Sequence, residues 1–482
     1  MSIRIYDSME RAEVPLSTRD EGRVTMYVCG ATVYNFIHIG NARTMVWFDQ
    51  IRRYLRYRGY ETTYVSNHTD VDDKIIERAK LEDLPPDGIT SKYIRAFDED
   101  MAALNVQPPD VMARATQHVP EMIEAIEGLI ERGLAYEAGG DVWFAVERFP
   151  GYGKLSHRSL EDMRAGERVE PRAGKEHPLD FALWKAAKEG EPSWPSPGGP
   201  GRPGWHIECS VMSTKYLGMG FDLHGGGTDL VFPHHENEIA QAEGLAGSEP
   251  FSRHWMHAGM VQMDAEKMSK SLGNVAIARE VIGRWGGEAA RYWCLNASYR
   301  SQASFGESSM EDAVQAYGRW RTFYEAAKHA LGDRMPDPPS DPRRPSGGDD
   351  ADATGYVTRF IEAMDDDLNS AGAFAVIHDL VREGNKLLED AQRNDADAIE
   401  ASTVLMASFL ELTTVLGFTF AATSGDSGVL PDILDYLLEL REEARGEKAF
   451  DRADAIRDRL ESLGVSVEDT PAGPRWRLPT TR

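Results

Sequence analysis

The sequence predicts an α/β protein with a split, doubly wound parallel-sheet domain, an insertion, an α-helical bundle and a small C-terminal α/β unit. Residues 24–28 form an apolar run typical of a buried strand, and the next segment keeps helical spacing up to Leu55. Residues 60–66 alternate into a second strand, which completes a βαβ unit. Residues 192–204 are rich in proline and glycine and are expected to form a loop, as in an insertion across a split sheet. Beyond Ser308, apolar residues at helical spacing indicate a bundle.

The remaining elements follow from the same two periodicities, taken in chain order. They are a helix at 71–81, a helix at 121–132, a hairpin at 135–147, a strand at 221–224, a helix at 233–246, a strand at 254–260, bundle helices at 358–364, 371–389 and 398–416, terminal helices at 431–445 and 450–463, and a hairpin of 465–467 with 476–478. Gly225, Gly226 and Gly227 are interpreted as a loop after the strand, where a ligand approaches the backbone. Residues 334–352 are expected to form a surface connection.

The composition indicates globular domains in a reducing compartment. The chain has 482 residues, 41% of them hydrophobic, which is enough for several cores. Three cysteines are too few for a disulfide framework. The N-terminus lacks the regions of a signal peptide, and no window reaches the ~18 uncharged apolar residues that would span a bilayer. We therefore expect a cytoplasmic monomer that does not contact membranes.

The net charge of −26 would ordinarily argue against a nucleic-acid partner. However, 40 of the 53 basic residues are arginine and only 13 are lysine. An acidic, lysine-poor and arginine-rich surface resembles that of proteins from salt-accumulating halophiles. In molar salt the screening length falls to about 3 Å, so distant repulsion of RNA is largely removed and local arginine contacts decide binding. We hypothesise that the acidity is a halophilic adaptation.

Residues 38–41, with the sequence HIGN, form a candidate phosphate site between the first strand and its helix. Gly40 lets a phosphate approach the backbone, the helix N-terminus supplies N–H donors, and His38 adds a hydrogen bond. Taken alone, the motif is explained better by a core-facing histidine before a helix-starting glycine. A second basic loop at 267–271, KMSKS, favours the nucleotide site. The pair resembles the two signature sequences of class I aminoacyl-tRNA synthetases.

Two cysteines, a histidine and a glutamate form a candidate metal site. Cys29 precedes the phosphate loop, Cys209 lies where the chain leaves the insertion, and His234 and Glu238 are one helical turn apart. Such a set suits tetrahedral Zn²⁺, although the spacing is not that of a CxxC finger, and four unrelated residues are the alternative. The neighbouring His235 and Glu236 are expected to point elsewhere.

Six segments of the chain resemble cysteinyl-tRNA synthetases. They are Cys29-Gly30 before HIGN, NHTDVDDK (67–74), GWHIEC (204–209), GGGTDLVFPHHENE (225–238), KMSKS, and EDTPAGPRW (468–476). The resemblance runs over nearly the whole chain. It implies that the protein activates L-cysteine with ATP to cysteinyl-adenylate and transfers it to the terminal ribose of tRNA(Cys). It also implies one Zn²⁺ per chain, which selects cysteine by binding its thiolate, and Mg²⁺ with ATP.

The resemblance further assigns a role to individual residues. The implied catalytic residues are His38, Lys267 and Lys270. The implied ATP-binding residues are His38, Gly40, Asn41, Asp229 and Lys270. The implied substrate-binding residues are Gly30, Thr69 and Trp205, and the implied metal ligands are Cys29, Cys209, His234 and Glu238. Asn41 departs from the commoner motif, which ends in histidine, but its amide donates a hydrogen bond without titrating.

Six regions are expected along the chain. They are the first half of the nucleotide-binding catalytic domain, which is of the Rossmann type (1–134), a connective insertion (135–204), the second half of the catalytic domain (205–250), a KMSKS-bearing stem-contact region (251–308), a helical-bundle tRNA-binding domain (309–426) and a small C-terminal anticodon-contacting unit (427–482). Arginines concentrate in the last region beside Trp476, where charge and stacking suit an anticodon.

Three other functions remain open at this point. A mycothiol-type ligase would join cysteine to an amino sugar, but it would not need the long C-terminal extension. A zinc-stabilised RNA-binding protein without catalysis would not need His38, Lys267 and Lys270. A nucleotidyltransferase would use the phosphate site alone. Cysteine-dependent ATP–pyrophosphate exchange separates the two ligases from the last two functions.

Overall fold

The computed structural model describes most of the chain. The described residues are 2–161, 163, 174–196, 198–247, 250–263, 276–340, 343, 354–393, 395–420, 429–470 and 473–477, without the side chains of 429–432. Lys267, Lys270 and much of the connection expected at 334–352 lie outside these ranges.

The strands of the described residues are β1 (Arg4–Asp7), β2 (Ala12–Pro15), β3 (Arg23–Val28), β4 (Glu61–His68), β5 (Val111–Arg114), β6 (Ala135–Ala138), β7 (Asp141–Phe144), β8 (Phe181–Ala186), β9 (Gly201–Pro203), β10 (Phe221–Gly227), β11 (Ser252–Ala258), β12 (Val261–Met263), β13 (Ala303–Phe305), β14 (Ser466–Thr470) and β15 (Gly473–Arg477). The helices are α1 (Ile39–Tyr57), α2 (Asp73–Glu82), α3 (Pro86–Ala103), α4 (Val119–Glu131), α5 (Trp205–Leu217), α6 (Glu236–Ala246), α7 (Ala278–Trp285), α8 (Gly287–Leu295), α9 (Glu307–Leu331), α10 (Tyr356–Asp365), α11 (Ser370–Ala391), α12 (Ala396–Val415), α13 (Val429–Gly446) and α14 (Phe450–Ser462).

A five-stranded parallel sheet in the order β11-β10-β3-β4-β5 forms the centre of the N-terminal part of the chain, and it confirms the predicted fold class. Strands β3, β4 and β5 come from before the insertion, and β10 and β11 come from after it. Because the chain order reverses between β3 and β10, their carboxyl ends form the topological switch point where open sheets bind ligands. Helix α1 starts at this point and buries Val46, Trp47 and Phe48 against the core.

The insertion contains an antiparallel sheet in the order β6-β7-β8-β9. The hairpin of β6 and β7 matches the sequence expectation, but β8 and β9 were not anticipated. Strand β9 lies inside the proline- and glycine-rich segment that was expected to be a loop. A Cβ at Gly201 would lie 2.3 Å from the Lys185 carbonyl oxygen, so the glycine there permits close strand pairing.

The three glycines at 225–227 do not form a loop, because β10 continues through all of them. A Cβ at Gly225 would lie 2.2 Å from the Phe48 ring. The glycine therefore lets α1 pack closely on the strand, whereas the approach of a ligand to these glycines stays a prediction. Helices α3, α5, α7 and α8 were also missing from the sequence expectations.

The C-terminal half is helical, as predicted. Helix α9 packs on α8 and α11, and α11 packs on α10 and α12. Helix α12 is long and apolar enough to cross a membrane by length and composition, but half of its most apolar window is buried inside the protein. Helices α13 and α14 and the hairpin β14–β15 have a separate small core of Leu434, Leu438, Leu460, Val465 and Val467.

A buried ion pair links the domain of the parallel sheet to the bundle. Arg291 on α8 donates to Asp49 of α1 over 2.6 Å and to the Leu416 carbonyl beyond α12 over 2.8 Å. Arg291 and Asp49 have fully buried side chains. Removing one partner of such a pair leaves an uncompensated buried charge, which typically costs about 3–5 kcal/mol. The pair thus fixes how α1, and the phosphate loop at its N-terminus, sits against the bundle.

Candidate nucleotide and metal site

The site residues described by the structure gather at the carboxyl edge of the central sheet. Cys29 and Gly30 follow β3, Thr69 follows β4, and the segment from Asp229 to His234 follows β10. Trp205 and Cys209 reach the same edge from α5, which packs on β3 and β4. The fold therefore brings together residues from three loops and one helix.

The HIGN segment caps α1. The His38 Nδ1 accepts a hydrogen bond from the Asn41 backbone N–H over 3.2 Å, and the Asn41 side-chain oxygen accepts from the His38 N–H over 3.3 Å. This reciprocal pair is a capping box. Because Nδ1 is the acceptor, a neutral His38 carries its proton on Nε2, which is then a donor for a phosphate oxygen. Asn41 therefore positions His38, and this gives a physical role to the residue that departs from the commoner motif.

Asp229 lies near His38 in the short helical turn Thr228–Leu230. Burial lowers the pKa of His38, and the Asp229 carboxylate partly offsets this effect by raising it. The imidazole is therefore neutral near pH 7. The Asp229 carboxylate is therefore close enough to the phosphate loop to influence His38, and its role in binding ATP stays a prediction.

The segment that carries Lys267 and Lys270 is outside the described residues, but the described residues on either side of it lie beside the phosphate loop. The Ile39 N–H donates to the Ala276 carbonyl over 2.9 Å, and the Ala278 N–H donates to the Ile37 carbonyl over 2.9 Å. On the other side, a Cβ at Gly40 would lie 3.7 Å from the Val261 Cβ. The lysine segment thus begins and ends next to the N-terminus of α1.

Cys29, Cys209, His234 and Glu238 form a buried cluster whose four donor atoms lie within 4.8 Å of one another. The Glu238 Oε1 is 3.0 Å from the His234 Nε2 and accepts from the Cys29 thiol over 3.3 Å. The other ring nitrogen of His234, Nδ1, is 2.9 Å from the His206 Nδ1. Metal-binding histidines commonly have their second nitrogen fixed in this way, so the geometry suits His234 as a ligand.

The chemistry of the cluster also suits a divalent cation. Burial raises the pKa of the Cys29 thiol and of the Glu238 carboxyl, so these groups hold protons in the absence of a positive charge. Burial also acts to raise the pKa of Cys209, but hydrogen bonds with Cys29 and His234 lower it to about 7. A cation would replace the shared protons, since thiolate and carboxylate are the ligand forms. Two sulfur donors favour a soft or borderline metal such as Zn²⁺.

A second set of donors overlaps the first. Cys29, His224, His235 and Glu238 also lie within 4.8 Å of one another. The His224 Nε2 is 3.3 Å from the Glu238 Oε2, and the His235 Nε2 is 3.9 Å from its Oε1. The expectation that His235 points elsewhere is therefore wrong. The same expectation is correct for Glu236, whose carboxylate accepts hydrogen bonds from the Gly153 and Ser156 N–H groups over 2.9 and 2.8 Å.

The expected amino-acid pocket adjoins the first metal set. The Trp205 ring, 37% exposed, stacks on His234 with 4.1 Å between the ring centroids. The Gly30 N–H donates to the Asn67 side chain over 3.0 Å, and a Cβ at Gly30 would lie 1.7 Å from the Asn67 carbonyl oxygen. The Thr69 hydroxyl donates to the Glu208 Oε2 over 2.8 Å.

Sequence reasoning missed five residues at this site: Tyr27, Asn67, Glu208 and His224, which are buried, and His206, which is half-buried. Two of the segments that carried the resemblance, 67–74 and 204–209, contain three of these residues: Asn67, His206 and Glu208. Each lies within two positions of an implied site residue in the sequence, and this closeness was an available signal. Tyr27 and His224 lie in apolar strands and offered none.

Family models match three parts of the chain. A model described as the tRNA synthetases class I (C) catalytic domain matches residues 15–315. A DALR domain model matches residues 359–421, and a model of the cysteinyl-tRNA ligase anticodon binding domain matches residues 427–477.

Full-length relatives agree with these models. The cysteine–tRNA ligase of Brevibacillus brevis is 48% identical over 478 residues, which cover 99% of this chain and 100% of the relative. The cysteine–tRNA ligase of Desulfitobacterium hafniense is 47% identical over 491 residues, with the same coverage. Among solved structures, a Mycobacterium tuberculosis methionyl-tRNA synthetase in complex with methionyl-adenylate has a TM-score of 0.57 at 15% identity, covering 82% of this chain and 89% of that one. This last likeness concerns the fold alone.

Proposed function

The chain belongs to the cysteine–tRNA ligases, which are class I aminoacyl-tRNA synthetases, and on that premise we propose how its residues perform the reaction. The observation that carries the proposal is the buried set of two cysteines, a histidine and a glutamate beside the capped phosphate loop. Full-length similarity, including the C-terminal unit, does not favour a mycothiol-type ligase, a non-catalytic RNA-binding protein or a nucleotidyltransferase.

In the first step, the cysteine carboxylate attacks the α-phosphorus of ATP in line, which gives cysteinyl-adenylate and releases pyrophosphate. The nucleophile is already ionised, so no general base is needed, and catalysis rests on positioning and charge stabilisation. The Nε2 of His38, the N–H groups at Gly40 and Asn41, Lys267 and Lys270 bind the phosphates of Mg²⁺–ATP. Asp229 binds the adenosine ribose. The acyl group then passes to the terminal ribose of tRNA(Cys).

Cysteine is selected at the metal site, for which we propose one Zn²⁺ held by Cys29, Cys209, His234 and Glu238. A bound Zn²⁺ supplies a position that accepts a thiolate and discriminates against the hydroxyl of serine. The set with two sulfurs is preferred over the set with His224 and His235 because zinc prefers thiolates. Gly30, Thr69 and Trp205 line the amino-acid pocket, and no separate editing domain is needed at this degree of discrimination.

We propose the six regions named from the sequence as functional divisions, with the bundle and the terminal unit contacting tRNA. Not all terminal arginines are free for RNA, because Arg441 is buried and its guanidinium donates to both carboxylate oxygens of Asp469 over 2.8 and 2.9 Å. Arg445, Arg457 and Arg477 are about half exposed and pair with surface carboxylates, which phosphates can replace. A cytoplasmic monomer, and a halophilic origin of the acidic surface, remain predictions.

Deleting residues 427–482 should spare cysteine activation and weaken tRNA charging roughly 10- to 100-fold, because several phosphate and base contacts are lost together. The terminal unit has its own core, so the catalytic domain should keep its fold. The test compares ATP–pyrophosphate exchange with aminoacylation of tRNA(Cys) in the full and shortened chains. Equal charging by the two would reject an anticodon-contacting role.

A further inference from the structure

Arg43 on α1 is a buried residue whose guanidinium has no part in the reaction described so far. The residue is 1% exposed. In the described part of the chain its Nη1 donates to the Gly259 carbonyl and its Nη2 to the Ser298 carbonyl, each over 2.8 Å. Burial lowers the pKa of the guanidinium, and the group that opposes this effect is the Cys294 thiol rather than a carboxylate. A charge buried without an opposite charge is costly, so its two hydrogen bonds call for an explanation.

The two carbonyl groups belong to segments that are joined to each other. The Gly259 N–H donates to the Tyr299 carbonyl over 2.7 Å, and β12 pairs in parallel with β13 a few residues further along both segments. Residues 259–263 and 298–305 therefore form one unit, called here the β12–β13 unit. Arg43 ties this unit to α1.

The β12–β13 unit also lies beside the phosphate loop. A Cβ at Gly40 would lie 3.7 Å from the Cβ of Val261 on β12. Residues 38–41 cap and begin α1, and Arg43 follows them directly in the same helix. The distance between the phosphate loop and β12 is therefore held by a side chain that lies close behind the loop.

We propose that Arg43 is a positioning residue for ATP, which holds β12 at the distance from the phosphate loop that the nucleotide requires. The planar guanidinium presents its N–H groups in a fixed fork, so it holds the Gly259 and Ser298 carbonyl groups at once, and an ammonium group cannot reproduce that geometry. A displacement of about 1 Å in such a site can cost about 10² in rate. The inference rests on the proposed function, because it takes ATP as the ligand of the phosphate loop.

The test uses Arg43→Met in the zinc-loaded, full-length enzyme. Calorimetry gives the dissociation constants of Mg²⁺–ATP and of cysteine separately, and ATP–pyrophosphate exchange gives the KM values and kcat. The dissociation constant and the KM for ATP should rise about 10- to 100-fold, because the two sides of the nucleotide site lose their fixed spacing. The dissociation constant for cysteine and the zinc content should stay unchanged, because the proposed metal ligands lie on other elements. Arg43→Lys, which keeps the charge but not the fork, should weaken ATP binding to a smaller extent.

Arg52→Met is the matched control. Arg52 lies on the same helix, is 4% exposed, and donates to the Pro108 carbonyl over 2.6 Å and to Asp110 over 2.8 Å. Because it lies toward the C-terminus of α1, its loss should lower the Tm but leave ATP binding at the wild-type level. A merely structural role of Arg43 predicts instead that both variants lower the Tm and bind ATP alike.

Three results would overturn the proposal: wild-type affinity for ATP in Arg43→Met, equal weakening of ATP binding in Arg43→Met and Arg52→Met, or equal weakening of ATP and cysteine binding in Arg43→Met. If Arg43→Met does not fold, Arg43→Lys decides, and wild-type affinity for ATP in that variant rejects the proposal. Failure of the proposed function is distinguishable, since it would appear as zinc-loaded wild-type enzyme without any cysteine-dependent exchange.

Discussion

Replacing Lys270 by alanine should slow cysteinyl-adenylate formation by about 10²–10³, the usual effect of losing one contact to the charge that develops in a transition state. The reason is that Val261 and Ala276, the described residues on either side of the lysine loop, lie beside the phosphate loop. Zinc content should not change, because the proposed ligands all come from other parts of the chain. The measurement is cysteine-dependent ATP–pyrophosphate exchange, with zinc determined in the same samples.

Lys215→Ala is a matched control, because this ammonium pairs with Glu121 on the surface. It should show exchange at the wild-type rate. Near-normal exchange in Lys270→Ala would remove Lys270 from the catalytic residues.

Replacing Cys209 by serine should reduce zinc affinity by more than about 100-fold, since even changes behind the metal ligands typically cost 10–100-fold. A site that recognises a polar group of its substrate can favour that substrate over an analogue by about 10⁴. In the Cys209→Ser enzyme that remains folded, the preference for cysteine over serine should be lost. The physical reason is that the hydroxyl of a serine at position 209 is a poor substitute for a thiolate ligand, so the metal position that faces the substrate is disturbed. Zinc stoichiometry and activation of both amino acids are measured on the same preparations.

His235→Gln separates the two overlapping donor sets. If the set with Cys209 and His234 binds zinc, His235→Gln keeps its metal and Cys209→Ser does not. If the set with His224 and His235 binds zinc instead, Cys209→Ser keeps its metal and His235→Gln does not. A purely structural site would give a third pattern, in which Cys209→Ser loses stability but the folded fraction still rejects serine.

Much of the fold could be predicted from periodicity, and the failures have identifiable causes. Strand β3 and helix α1 were predictable because their apolar residues keep the spacing of their element. Strand β9 was missed because its glycine and proline signal a loop locally, whereas pairing with β8 holds it as a strand. The packing of Gly225 against Phe48 was not anticipated, because only the tertiary structure creates that contact.

The candidate site also contains residues that could be predicted from the sequence and contacts that could not. Cys29, Cys209, His234 and Glu238 could be named from the sequence because their chemistry is uncommon and the resemblance is specific. The sequence could not show that His235 also faces Glu238, because adjacent residues such as His234 and His235 normally point in different directions on a helix. Here the turn Val231–His235, which contains the irregular residue Phe232, precedes α6. The link between Thr69 and Glu208 joins residues 139 positions apart, and no local pattern carries such a pairing.

The central claim is that the substrate thiolate binds the metal held by Cys29, Cys209, His234 and Glu238. The most direct test replaces zinc by Co²⁺, whose charge-transfer absorption reports the number of bound thiolates. Cysteine added without ATP should increase this absorption by the contribution of one further thiolate, and serine at the same concentration should leave the spectrum unchanged. Saturable cysteine binding, seen by calorimetry on the same cobalt enzyme but without any change in that absorption, would contradict selection through the metal.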